Sequence, residues 1–138
     1  MRVAPKAVPK ISQPSLQQKR QRQNISFGKL GEQRAAEYLR SKGLVIRAIN
    51  WRFRQWELDI VAWDPRHREL VIVEVKTRRT SHTSHYDHAS LAISGHKLRS
   101  IVVASQAYLK YRGLKLPYRV DVITVTGPKV EWFRNVTW

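Results

Sequence analysis

Hydrophobic and polar positions divide the chain into seven periodic segments behind an aperiodic start. Phe27, Leu30, Ala35, Tyr38 and Leu39 recur at near-helical spacing, with Ser26 as the expected N-cap and Gly43 as the stop. Leu44 to Phe53 reads as a strand. Glu57–Asp64 and Glu69–Lys76 read as two more, joined by a turn at Pro65-Arg66-His67-Arg68. A polar loop spans Thr77–Ala89. Ser94 then caps a second helix bearing Leu98, Ile101, Val102, Ser105 and Leu109, and Gly113 ends it. Tyr118–Val125 and Val130–Phe133 complete the pattern as strands. The order α-β-β-β-α-β-β predicts an α/β (α+β) domain, a central mixed sheet flanked by helices, over residues 25–138. Residues 1–24 hold three prolines, many glutamines, six basic residues and no acid. Such a segment buries too little apolar area to offset its ordering entropy and is expected to be a disordered tail, with Gln17–Gln23 able to become helical on a partner.

The central hairpin breaks the rule that a core strand is apolar. Glu74 and Lys76 interrupt the aliphatic run that begins at Leu70, and Glu57 and Asp59 sit on the preceding strand. Ionised groups there are costly unless paired or bound to a cation. A hairpin closing symmetrically about Arg66 and His67 opposes Trp63 to Leu70, Val61 to Ile72, Asp59 to Glu74 and Glu57 to Lys76. Glu57, Asp59 and Val61 then share one face. Two opposed carboxylates destabilise a sheet, and a divalent cation between them reverses that sign. An oxygen-rich site with open water positions suits Mg²⁺ or Mn²⁺. Lys76, one pair further on, is placed to orient or deprotonate a water and to meet charge developing on a phosphate. Glu57, opposite Lys76, is the supporting acid. The competing account is that surrounding arginines satisfy these acids.

Gly31-Glu32, Glu57-Leu58-Asp59-Ile60-Val61-Ala62 and Val73-Glu74-Val75-Lys76-Thr77-Arg78 resemble the YraN-type family of small bacterial proteins. Its members are described as endonucleases of the PD-(D/E)xK superfamily, related to Holliday-junction resolvases. The resemblance runs from about residue 25 to the C-terminus and takes in Lys97 and Arg119-Val120-Asp121-Val122. It implies a restriction-endonuclease-like core, Asp59 and Glu74 as metal ligands and Lys76 as catalytic lysine. It also implies that Glu32 is an accessory acid reaching the metal from the first helix. One departure is Trp56, where the family usually has glycine.

The charge of 26 − 10 = +16 on 138 residues favours a nucleic-acid partner. DNA is the expected one, and a ribosomal-type RNA-binding protein has the same size and charge. Arg78, Lys97 and Arg99 are candidate phosphate contacts, and Trp56, Trp51 and Tyr86 candidate stacking rings. The chain has no cysteine, which removes disulfides and zinc–thiolate sites and fits a reducing cytoplasm. No apolar run reaches membrane-spanning length, and the basic start has no secretory h-region, although it shares its acid-free character with organellar transit peptides. His82, His85 and His88 have spacing for one helical face but sit among polar residues that argue for a loop. Paired incision of a junction would need two sites, so a symmetric homodimer is expected. The expected activity is metal-dependent hydrolysis of DNA phosphodiesters, branched DNA included. The alternative is a nucleic-acid-binding protein that keeps the fold without catalysis.

Overall fold

The computed structural model describes residues 4, 13–79 and 93–136. Helix α1 spans Leu16–Ser41, followed by strands β1 (Val45–Phe53), β2 (Trp56–Asp64) and β3 (Glu69–Arg78). Helix α2 (Gly95–Arg112) leads to strands β4 (Tyr118–Thr126) and β5 (Lys129–Phe133). The five strands form one sheet in sequence order, parallel between β3 and β4 and antiparallel elsewhere. This is the predicted mixed sheet with flanking helices, in the predicted order of elements.

The sheet is covered on both sides, which is why β2, β3 and β4 read as nearly continuous apolar runs. On one face Ala35, Ala36 and Leu39 of α1 pack against Ile60, Ala62, Val71, Val73, Ile123 and Val125. On the other, Ile101, Ala104 and Tyr108 of α2 pack against Leu58, Val61, Leu70, Ile72 and Val120. Gly31 lets α1 approach β3: a Cβ there would lie 2.3 Å from the Thr77 hydroxyl oxygen. Close packing is therefore what this glycine serves.

Helix α1 starts well before Ser26, which lies inside it. Ser15 is the cap: its hydroxyl accepts from the Gln18 N–H at 3.2 Å, and the Gln18 side chain accepts from the Ser15 N–H at 2.9 Å. This capping box is legible as Ser-x-x-Gln. The apolar period begins only at Phe27 because the turns before it face solvent, with Leu16 78% exposed. The helix thus begins within the stretch expected to be tail.

The hairpin has the predicted register from Asp64–Glu69 through Trp63–Leu70 and Val61–Ile72 to Ile60–Val73. There the ladder ends. Asp59–Glu74 and Glu57–Lys76 are not backbone pairs. Instead the Val75 N–H donates to Asp59 Oδ2 at 2.8 Å, so a side chain takes the place of a ladder carbonyl. Strict alternation fails at the same point. Leu58 and Val61, three apart, pack in one core, and so do Ala48 and Trp51 of β1. Asn50, between the latter two, has φ +52°. Both strands turn over beside Asp59, and Glu57, Asp59 and Val61 do not form the predicted single face. The polar loop from residue 80 to 92, with His82, His85, His88 and Tyr86, lies outside the described residues.

Candidate active site

Three elements converge on the acids at this end of the hairpin. Asp59 comes from β2, Glu74 from β3, and Lys97 from the first turn of α2, where Ser94 caps the helix by accepting the Lys97 N–H at 3.2 Å. Asp59 and Glu74 share a side-chain hydrogen bond. Lys97 Nζ lies 3.5 Å from Glu74 Oε1, whose side chain is only 17% exposed. The fourth participant is Glu32 of α1, which accepts from Asn50 Nδ2 at 2.6 Å. Asn50 owes this aim to its left-handed backbone, a conformation in which asparagine is enriched.

The electrostatics follow from burial. Desolvation is the largest influence on Glu74; the neighbouring Asp59 charge adds to it, Lys97 opposes both, and the carboxyl ends pushed up to about 7. Desolvation also raises Asp59, against the Val75 N–H and Lys97, which favour its ionised form. Glu32 is raised by burial too, opposed by the Asn50 hydrogen bond and reinforced by Asp59 and Glu57. The pair is asymmetric: Asp59 disfavours the Glu74 charge, while the hydrogen bond with Glu74 favours the ionised form of Asp59.

The opposite end of the same sheet treats its acids differently. Arg119 Nη1 donates to Asp64 at 3.1 Å and to Glu69 at 2.7 Å, and its Nε lies 3.2 Å from both Asp121 oxygens. Trp132 Nε1 and the Asn135 N–H also donate to Asp121, at 2.9 and 2.8 Å. Burial works against the Asp64 charge, but His67, Arg119 and two turn N–H groups outweigh it and hold the carboxyl at about 2. Here arginine satisfies the acids, in a tie among β2, β3, β4 and β5; the competing account places such pairing at Glu57, Asp59 and Glu74 instead.

The remaining candidates come from β2, β3 and α2. Lys76 is half-buried, two residues beyond Glu74 on β3 and so on the same strand face. Glu57 adds negative charge but pairs with Arg52 at 3.5 Å. Arg78 and Arg99 are exposed. Trp56 is half-buried and stacks on Phe53 at 6.0 Å, which stacks on Trp51 at 6.2 Å, which meets Tyr108 edge-on at 5.3 Å. These rings form a ladder with one another. Among the described residues no group of three His, Cys, Asp or Glu side chains is placed to hold a metal ion. Glu32 is therefore near the pair in charge but not part of a ready-made triad with it. Sequence reasoning missed Asn50, whose role depends on a backbone flip that no motif announces. It also missed the ion pair of Lys97 with Glu74, which needs the first turn of α2 to be brought beside the β3 acid.

A half-buried carboxyl pair on a hairpin, within a five-stranded mixed sheet flanked by two helices, defines an α+β protein with acids set into the sheet of a basic molecule. The sequence model of Uncharacterised protein family UPF0102 matches residues 31–125. The chain belongs to this family, the YraN family. UPF0102 proteins similar to it include one from Phocaeicola vulgatus, 42% identical over 77% of this chain and 84% of the relative. One from Bacteroides fragilis is 44% identical over 73% of this chain and 79% of its own length. One from Renibacterium salmoninarum is 38% identical over 80% and 90%. The matched span contains every acid of the candidate site.

Proposed function

We propose that this chain is a metal-dependent endodeoxyribonuclease that hydrolyses phosphodiesters of DNA, branched junctions included. The observation carrying the proposal is the contrast between the two acid clusters. Asp64, Glu69 and Asp121 meet an arginine, whereas Asp59 and Glu74 meet each other and hold a carboxyl near neutrality. Half-buried carboxyls perturbed by desolvation and by a neighbouring acid are concentrated at functional sites. The donor chemistry fits a hard dication: carboxylate oxygens from adjacent strands would hold Mg²⁺ or Mn²⁺, whose charge would offset the desolvation that raises both groups. Such an ion, when bound, lowers the pKa of water and polarises a phosphate oxygen.

This chain's own residues supply the rest. Asp59 is fixed by the Val75 N–H, so its second oxygen has a defined direction. Lys76 is the cation best placed on β3 to orient the attacking water and stabilise charge growing on the phosphate. Glu32, steered by Asn50, is the accessory acid. Lys97 beside the pair and the exposed Arg99 and Arg78 carry positive charge for contact with the DNA backbone. A second reading, a nucleic-acid binder without catalysis, is favoured by one observation: Lys97 already compensates part of the Glu74 charge.

Cleavage of junction, flap, single-stranded and linear DNA and of RNA, with Mg²⁺ or Mn²⁺, decides between them. Wild type should cut DNA, and Lys76→Ala should cut slower by orders of magnitude while binding within a few-fold, since only one of the 26 cationic side chains is lost. Absence of cleavage by wild type on every substrate would leave the binder.

A further inference from the structure

At the far end of the same hairpin lies a cleft of about 390 Å³, of the size that takes a small organic ligand. We infer that it is a nucleotide site, in which a base stacks on Trp63 and its phosphate sits between Arg47 and Arg112. Trp63 is four positions along its strand from Asp59, and Leu70 four from Glu74, about 13 Å at the rise of a strand. The cleft is thus distinct from the carboxyl pair and independent of whether that pair cuts.

Three observations converge on the assignment. The β1–β2 register shifts between Ile46 and Ala48, so Arg47 sits at a bulge. Ile46 packs toward α1 and Ala48 toward α2. A bulge re-aims the side chain it carries, and Arg47 lines the cleft. Arg112, in the last turn of α2, lies over the Tyr108 ring at 5.7 Å, which restricts the guanidinium before any ligand arrives. Tyr108 is itself held edge-on by Trp51, leaving half-buried Trp63 as the ring with freedom to stack. Leu70 and Leu116 complete an apolar floor.

The chemistry selects the ligand. Two guanidiniums beside an apolar, aromatic floor match a flat ring carrying an anionic group, and the lining includes no acidic residue. Among the described residues no carboxylate pairs with Arg47 or Arg112. The C-terminal carbonyls of α2 disfavour an anion at this end of the helix, so the guanidiniums must hold the phosphate. Arginine's planar fork suits a phosphate bidentately. A nucleotide unit has both parts, whether free or at the end of a strand.

Calorimetric titration of the whole chain at physiological salt tests this with 5′-dAMP, deoxyadenosine, inorganic phosphate and a 5′-phosphorylated oligothymidylate. Wild type should bind dAMP saturably, between about 10 µM and 1 mM, and more tightly than either deoxyadenosine or phosphate. Arg47→Gln with Arg112→Gln should weaken dAMP at least about tenfold, whereas Arg40→Gln on α1, which removes one exposed charge elsewhere, should not. Trp63→Phe should retain binding and lose the quenching of tryptophan emission by dAMP. Competition by the oligonucleotide identifies a strand end as the ligand, and its failure to compete identifies a free nucleotide. Phosphate binding as tightly as dAMP, equal losses in the double variant and in Arg40→Gln, or no saturable dAMP binding would each overturn the assignment.

Discussion

Glu74 is the residue on which the electrostatics of the candidate site turn. Its carboxyl rises from an ordinary 4.5 to about 7, with burial first and Asp59 second among the causes. An acid whose pKa is higher folded than unfolded binds more protons in the native state between those values. Unfolding stability therefore falls as pH rises from about 4.5 to about 7, the reverse of a salt-bridged acid. In EDTA the wild type should lose on the order of 1–3 kcal/mol across this interval. Glu74→Gln, which cannot ionise, should remove most of the slope in urea-unfolding midpoints taken from pH 5 to pH 8. Added Mn²⁺ should restore stability to wild type at pH 8 but not to the variant. A pH slope unchanged by the substitution would mean that the proton resides elsewhere. The identities of Asp59, Glu74 and Lys76 were visible as charges where a buried strand should have none. Their mutual geometry was not, because Asp59 leaves the backbone ladder to accept the Val75 N–H.

Among the elements, α1 divides into a solvated start and a packed second half. Its second half packs on the sheet through Ala35, Ala36 and Leu39, and Gly31 sets how near it comes. Gly31→Ala would place a methyl 2.3 Å from the Thr77 hydroxyl and 3.1 Å from its Cβ. Overpacking of this kind costs about 1–3 kcal/mol. Thr77→Ala should rescue part of that loss by removing the nearer atoms, and thermal melts of the two single variants and the double variant measure the coupling. Additive losses would show that Thr77 is not what Gly31 accommodates. The first two turns of α1, residues 16–23, are exposed. Deleting residues 1–22 removes the Ser15 cap and early turns without touching the core, and should shift the melting temperature by only a few degrees. It removes six cationic side chains, so the slope of log affinity for DNA against log salt should flatten. A cooperative loss of folding would make these turns part of the domain. Apolar period located the packed half of α1 and missed the solvated start, since a helix that buries no face leaves only its capping box in the sequence. The hairpin register was legible from its turn and apolar pattern as far as Ile60–Val73, and failed where Asn50 adopts a positive φ.

Across the whole molecule, the sheet has one acidic cluster at each end of its central hairpin, and the two should respond oppositely to neutralisation. At the Arg119 end, Asp64 and Asp121 are buried and each accepts several donors. Removing the arginine leaves buried charges without their counter-ion, a change worth roughly 3–5 kcal/mol. Arg119→Met should therefore be among the most destabilising single substitutions in this chain, and Asp121→Asn should also cost stability because it weakens Arg119, Trp132 and Asn135 contacts together. At the other end the carboxyls repel each other, so metal-free Glu74→Gln should be neutral to stabilising at pH 8. Asp59→Asn keeps an oxygen for the Val75 N–H and should cost little. Sites selected for chemistry commonly carry such unrelieved strain, and stability rises when they are disabled. The charge signature of the two ends was the same in the sequence, acids on apolar strands. Only β4 and β5, reaching across from residues 119, 121 and 132, separate the arginine-paired cluster from the one proposed as an active site. Urea denaturation of Arg119→Met, Asp121→Asn, Asp59→Asn and Glu74→Gln in EDTA at pH 8 puts the contrast to the test. If Glu74→Gln destabilised as much as Asp121→Asn, the acids near Lys97 would be structural too, and the nuclease reading would lose the observation on which it stands.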